Sequence, residues 1–134
     1  MADVTLHAKT TALLLQDLPH ELIKGSRPIV PLSGAELIAN GQRLLAKAWA
    51  VGMPVIYVRV SHRPDLKDAP RPPLGTPPGG GGAPSLIEGT DGAAIVAELA
   101  PHPEDVVITK HTTLQYTQFY LPTDGLAATI RARP

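Results

Sequence analysis

Three short apolar segments, spaced along the chain by helical and polar stretches, constrain its fold more than any other feature. Residues 11–15 are almost continuously apolar, a pattern that suits a strand covered on both faces. Residues 54–60 (PVIYVRV) and 105–109 (DVVIT) are rich in β-branched side chains, which favour strands. The sequence therefore predicts three strands.

The stretch between the first two strands predicts an amphipathic helix. Ser33 and Glu36 have the spacing of a capping box, so the helix is expected to begin there. Gly52 suits the left-handed position that ends a helix. Strand, helix and strand in this order form a crossover, and a crossover implies a parallel pair. The apolar positions repeat at helical spacing: Leu37, Ile38, Leu44, Leu45, Ala48 and Trp49.

A second, short helix is predicted before the third strand. Thr90 or Asp91 is its expected cap, and its apolar residues are Ile95, Val96 and Leu99. The α/β alternation therefore continues to the third strand.

The remaining segments predict a loop and a last helix. Proline and glycine make up more than half of residues 64–84, so we expect a flexible loop there. Thr123 or Asp124 is expected to cap a final helix. No strand follows that helix, and three strands make a small sheet, so residues 1–134 are expected to form a single, apparently truncated α/β domain with a parallel sheet.

Charge and composition exclude several classes of protein. Twelve basic and twelve acidic residues give a formal net charge of zero, which argues against a nucleic-acid partner. No apolar run approaches the roughly 20 residues that span a bilayer, and the first residues do not resemble a signal peptide, so a cytoplasmic protein is expected. The absence of cysteine excludes disulfides, thiolate metal sites and a cysteine nucleophile within these residues.

Two ionisable residues follow predicted strands and form the candidate site. Asp17 follows the first strand and Lys110 follows the third, so both are expected at the carboxyl edge of a parallel sheet, where ligands bind. An Asp and a Lys in a partly dry cleft can act as a base and its electrostatic partner. The alternative is that both are ordinary strand-end residues that cap helices or bridge loops.

Histidines near the same edge are expected to be solvent-exposed loop residues. They are His20, His62 and His111, and in the loop after the second strand only His62 and Asp65 are candidate ligands. Two ligands make a poor metal site when three or four are usual. We therefore expect neither a metal nor another cofactor.

Three segments resemble the isochorismatase-like, or cysteine hydrolase, superfamily. They are TALLLQDLPHELI at residues 11–23, VGMPVIYVRVSHRPD at 51–65, and GTDGAAIVAELAPHPEDVVITKHTTLQYTQFY at 89–120. The resemblance covers the amino-terminal two thirds of such a domain and implies a Rossmann-like three-layer α/β/α fold. It also implies that Asp17 is the catalytic acid or base and that Lys110 orients and stabilises it.

The resemblance implies a substrate-lining segment after the lysine. It contains Tyr116, Thr117 and Phe119, although ordinary core packing remains the alternative for Phe119. The position of the family's nucleophilic cysteine is not matched by any residue of this chain.

Two functions follow as hypotheses. The first is a hydrolase that acts on a small amide, imide or vinyl ether. The second is a non-catalytic homologue that associates with itself or binds a ligand. In both cases the expected partners are a small molecule and further copies of the chain, since an exposed sheet edge templates pairing.

Overall fold

The computed structural model describes residues 5–69 and 85–111. In chain order the strands and α-helices are β1 (Leu13–Gln16), α1 (His20–Ile23), α2 (Gly34–Ala50), β2 (Val55–Val60) and β3 (Val106–Lys110). Short 3-10 helices lie at Ala8–Thr10, Asp91–Ala93 and Ala97–Leu99. The predicted helix after residue 123 and most of the proline- and glycine-rich loop fall outside the described residues.

The three strands form one parallel sheet in the order β1-β2-β3. Tyr57 in the middle strand is level with Leu15 on one side and Val107 on the other. Because β2 lies between the other two strands, five of its six residues are buried. The predicted crossover and its parallel strands are confirmed.

Local signals at both ends define helix α2. The Ser33 hydroxyl accepts a hydrogen bond from the Glu36 amide, and the Glu36 carboxylate accepts one from the Ser33 amide. This backbone hydrogen bond holds the pKa of Glu36 below its usual value. Gly52 has a φ of 66° just past the helix end. The helix has 17 residues, and no described helix is long and apolar enough to cross a membrane.

The core lies between α2 and one face of the sheet. Leu45 and Ala48 of the helix belong to the same buried cluster as Val55 and Tyr57 of β2. Leu44, which was expected on the apolar face, is instead exposed, because it lies about 100° around the helix from Leu45, at the margin of the buried face.

The prediction that the first strand is covered on both faces is wrong among the described residues. Leu13 and Leu15 pack against the core, whereas Leu14 is 50% exposed. Successive side chains of a strand point to opposite faces, so an apolar run does not by itself bury both faces.

The short helix predicted before β3 does not form. Its residues make the two 3-10 helices Asp91–Ala93 and Ala97–Leu99, with an extended segment between them. There the Val96 amide donates to the carbonyl of Leu18 at 3.1 Å, and Pro19 forms an isolated bridge with Ile95. This pairing with a distant part of the chain replaces the local helical hydrogen bonds.

Candidate functional site

Asp17 follows β1 in a backbone conformation that few residues adopt. Its amide donates to the carbonyl of Val58 at 2.8 Å and so continues the pairing with β2. Its φ is 55°, in the left-handed region, which Asp tolerates better than most non-glycine residues. Such conformations cluster at functional sites, where the surrounding structure holds them in place.

Lys110 is the last residue of β3 and is 8% exposed. Its Nζ donates to Oδ2 of Asp17 at 2.8 Å, across 93 positions of sequence. The contact forms because β1 and β3 both flank β2 and end at the same edge. The structure thus brings together the two residues that the sequence placed there.

The two carboxylate oxygens of Asp17 have different surroundings. Oδ2 accepts from Lys110 and, at 3.2 Å, from the side-chain amide of Gln16. Oδ1 is buried, and within residues 5–69 and 85–111 no group forms a hydrogen bond with it. A buried polar atom without a partner costs about 1–3 kcal/mol, so Oδ1 is an unsatisfied acceptor within the described residues.

A cavity of about 400 Å³ lies at the same end of the sheet. Arg59 and Ser61, at the end of β2, form one wall, and residues 88–91, 93 and 94 form the other. The second wall leads into the extended segment that pairs with the residues following Asp17. Sequence reasoning missed this cavity. The available signal was Arg59, a charged residue inside an otherwise apolar strand.

The expectation of solvent-exposed histidines is wrong for His62. It is 4% exposed. Its backbone amide donates to the carbonyl of Leu86, and its carbonyl accepts from the amide of Glu88, so the segment at Leu86–Glu88 covers it. Its Nδ1 lies 4.0 Å from the carboxylate of Asp68, and Nδ1 of His111 lies 3.2 Å from the same carboxylate. His20 is exposed as expected.

Asp65 does not join His62. It lies at the surface and pairs with Arg63 at 2.9 Å and Lys67 at 3.6 Å. The hydrogen bond from the Arg63 side chain lowers the pKa of Asp65. In the part of the chain that the structure describes, no three acidic or histidine side chains are arranged to hold a metal ion.

The predicted substrate-lining residues Tyr116, Thr117 and Phe119 lie outside the described residues. Among the described candidate residues, the structure brings Asp17 and Lys110 together, and the cavity lined by Arg59 and Ser61 is a separate feature at the same end of the sheet.

Residues 11–133 match the family model described as the isochorismatase domain. An isochorismatase family protein from Burkholderia thailandensis is 34% identical, with a TM-score of 0.63, over 80% of this chain and 52% of that one. A cysteine hydrolase from Pseudomonas syringae pv. phaseolicola 1448A is 25% identical, with a TM-score of 0.61, over 95% and 56%. An N-carbamoylsarcosine amidase from Thermoplasma acidophilum is 25% identical, with a TM-score of 0.53, over 75% and 51%.

The comparisons confirm the predicted family resemblance and α/β fold. The chain spans about half the length of these solved structures. No curated protein matches the sequence.

Proposed function

This chain belongs to the isochorismatase family, and on that premise we propose that it acts as a hydrolase of a small amide, imide or vinyl ether. Asp17 transfers the proton in this proposal, and Lys110 positions it. The amide class is supported by the similarity to an N-carbamoylsarcosine amidase. The vinyl-ether class is supported by the residues themselves, because an acid and water suffice for its cleavage.

The observation that carries the proposal is the asymmetry of the Asp17 carboxylate. Oδ2 is bound by Lys110, whereas Oδ1 is buried and has no described partner. A carboxylate held by one oxygen presents the other at a defined position, which general acid–base catalysis requires.

The 134 residues contain no cysteine, so water is the nucleophile in this proposal. On an amide or imide, Oδ1 of Asp17 accepts a proton from water as the water oxygen attacks the carbonyl carbon. The same proton then passes to the departing nitrogen. On a vinyl ether, protonated Asp17 donates to the terminal vinyl carbon, and water adds to the carbon that carries the ether oxygen while it returns one proton to the Asp17 carboxylate. The adduct then releases the alcohol.

Lys110 is a positioning residue in this scheme. Its ammonium compensates the charge of the carboxylate and fixes its orientation through the 2.8 Å hydrogen bond. Because Lys110 is itself buried, its position is set by β3 and not by solvent.

A non-catalytic module, the second hypothesis from the sequence, is less well supported. A purely structural ion pair would be expected to leave no buried carboxylate oxygen unsatisfied, and Oδ1 of Asp17 has no partner among the described residues. Self-association stays a prediction, for which light scattering on a size-exclusion column is the test.

The test of the function is turnover of a panel of small amides, imides and vinyl ethers by three proteins. Asp17→Asn keeps the shape of the side chain and tolerates the left-handed backbone, but it cannot transfer the proton. We expect it to lower kcat by about 10²-fold or more. Lys110→Met should lower kcat as well, since the carboxylate is no longer oriented.

The matched control is Glu98→Gln, which removes an exposed ion pair with Lys24 and changes no hydrogen bond of Asp17 or Lys110, so it should leave turnover unchanged. Absence of turnover by a folded wild-type protein across the panel would contradict the proposed function. Turnover that Asp17→Asn leaves unchanged would also contradict it.

A further inference from the structure

We propose that the cavity at the end of β2 is a carboxylate-binding subsite, in which Arg59 and Ser61 hold the carboxylate of a small ligand. That this ligand is the substrate rests on the proposed function, whereas the binding itself does not. Three features of the described residues carry the proposal: a fixed cation, an unpaired buried hydroxyl and the charge pattern of the cavity.

Arg59 supplies the cation. It is half-buried, and its Nε donates to Oγ1 of Thr109 on the neighbouring strand at 3.0 Å. This bond orients the guanidinium, while its terminal nitrogens have no hydrogen bond or ion pair among the described residues. A guanidinium is always charged and presents paired N–H groups that match a carboxylate. Arg59 is therefore an oriented cation whose terminal N–H groups are available to donate to an anion.

Ser61 supplies a second donor. It is 1% exposed, it lines the cavity, and its Oγ has no hydrogen-bond partner in the described chain. Its position is fixed because its amide donates to the carbonyl of Lys110 at 3.0 Å. Side chains two residues apart on an extended chain point to the same side, so the side chains of Arg59 and Ser61 line the same cavity. A ligand oxygen there would satisfy a hydroxyl that is otherwise unpaired.

The charges of the cavity define the ligand further. Its acidic residues, Glu88 and Asp91, are exposed and so lie toward the mouth, whereas Arg59 and Ser61 are more deeply placed. This order favours a ligand with one carboxylate inside and N–H donors at its other end, and it disfavours a dianion. The volume of about 400 Å³ is within the usual range of small-molecule sites, roughly 300–1,000 Å³.

The cavity is coupled to the Asp17 site through the backbone. Its outer wall runs into the segment whose Val96 amide bonds the carbonyl of Leu18, the residue after Asp17. The amide of His20 likewise donates to the carbonyl of Ala94, which lines the cavity, at 2.8 Å. A ligand held by Arg59 would lie beside the segment that pairs with the residues after Asp17, although Asp17 and Lys110 themselves do not line the cavity.

The test is equilibrium binding of three probes that share one carbon skeleton: 4-aminobutanoate, butanoate and butylamine. Titrations by calorimetry or ligand-observed NMR require no turnover. Wild-type protein should bind 4-aminobutanoate most tightly and butanoate next, and butylamine should not compete for the carboxylate position. Succinate should bind more weakly than 4-aminobutanoate because its second carboxylate faces Glu88 and Asp91.

Two variants probe the donors, and one serves as a control. Arg59→Gln can still bond Thr109 but lacks the charge, and we expect binding of 4-aminobutanoate to weaken about tenfold or more. Ser61→Ala should weaken it severalfold. The control is Arg43→Gln, which removes an exposed arginine from α2 and should leave binding unchanged.

Thermal stability separates ligand binding from a structural role. The Ser61 hydroxyl makes no hydrogen bond with the described part of the chain, so Ser61→Ala should unfold at the same temperature as wild type or higher while it binds the probe more weakly. A variant that lost binding only through misfolding would melt lower.

The proposal is overturned if wild-type protein binds no carboxylate probe at millimolar concentration, or if Arg59→Gln binds 4-aminobutanoate as tightly as wild type. This failure is distinguishable from failure of the proposed function, because the titrations measure binding and require no turnover. Binding without turnover would leave the subsite standing and reject the hydrolase. Turnover without carboxylate binding would reject the subsite and leave the hydrolase proposal standing.

Discussion

At the scale of single residues, the site is marked by groups that the fold leaves unsatisfied. Asp17 combines a left-handed backbone with a buried carboxylate oxygen, Ser61 has a buried hydroxyl, and neither of these polar atoms has a hydrogen-bond partner among residues 5–69 and 85–111. Each feature lowers stability, and native structures keep few of them. Their position at the carboxyl ends of neighbouring strands is the physical reason to assign them to ligand binding.

Tyr57 has a similar unpaired group but lies in the core, where it predicts an alkaline loss of stability. The side chain is 1% exposed, and burial, followed by the charge of Asp105, raises its pKa from 10.0 to about 12. The folded state therefore holds the phenol proton more tightly than the unfolded state. The stabilisation is complete below pH 10 and is lost as the pH rises through about 12.

Tyr57→Phe should remove this part of the pH dependence. Because the hydroxyl has no partner among the described residues, the variant should be as stable as wild type, or more so, at neutral pH. Urea unfolding from neutral to alkaline pH measures both effects. A variant whose stability falls as steeply as that of wild type between pH 10 and 12 would show that Tyr57 is not the responsible group.

At the scale of elements, helix α2 can approach its neighbours closely because Gly41 has no side chain. A Cβ at this position would lie 2.9 Å and 3.0 Å from the methyl groups of Leu99, which belongs to the buried core. The glycine thus lets the helix pack onto the 3-10 helix Ala97–Leu99.

Gly41→Ala is expected to destabilise the protein despite the better helix propensity of alanine. Overpacking costs about 1–3 kcal/mol, whereas the propensity gain is roughly 1 kcal/mol, so the net loss is up to about 2 kcal/mol. Chemical denaturation measures it. In a Leu99→Val background the clash is relieved, and Gly41→Ala should then stabilise. Equal effects in the two backgrounds would rule out the contact as the cause.

At the scale of the whole molecule, contacts between distant segments shape the site. The carboxylate of Glu21 on α1 accepts a hydrogen bond from the amide of Leu86 at 2.9 Å, across 65 positions of sequence. The same residue lies near Gly92, where a Cβ would be 2.9 Å from its Oε2. Glu21 thus ties the wall of the cavity to the helix that follows Asp17.

Glu21→Ala should loosen this wall. The Leu86 amide loses a charge-assisted acceptor, so we expect faster hydrogen exchange there and a stability loss of about 1–3 kcal/mol. Hydrogen exchange followed by mass spectrometry measures the local effect. Glu104→Ala, which changes an exposed glutamate, is the matched control, and equal exchange at Leu86 in both variants would contradict the role of Glu21.

Predictions that depend on local interactions succeeded, and those that long-range contacts override failed. Helix α2 and strands β2 and β3 were predicted to within a residue or two, because capping boxes and β-branched runs act locally. The juxtaposition of Asp17 and Lys110 was also predicted, since parallel strands end at one edge. The predicted helix near residue 95 and the predicted exposure of His62 were wrong, because backbone pairing with distant segments overrode local preference.

The sequence by itself determined the family, the parallel α/β arrangement and the position of Asp17 and Lys110 at strand ends, because these depend on residue types and their order along the chain. Only the tertiary structure decided which oxygen of Asp17 is left unpaired, that Arg59 and Ser61 share a cavity, and that His62 is buried. These properties depend on strand register and on contacts between segments far apart in sequence, and such contacts are set by packing of the whole chain.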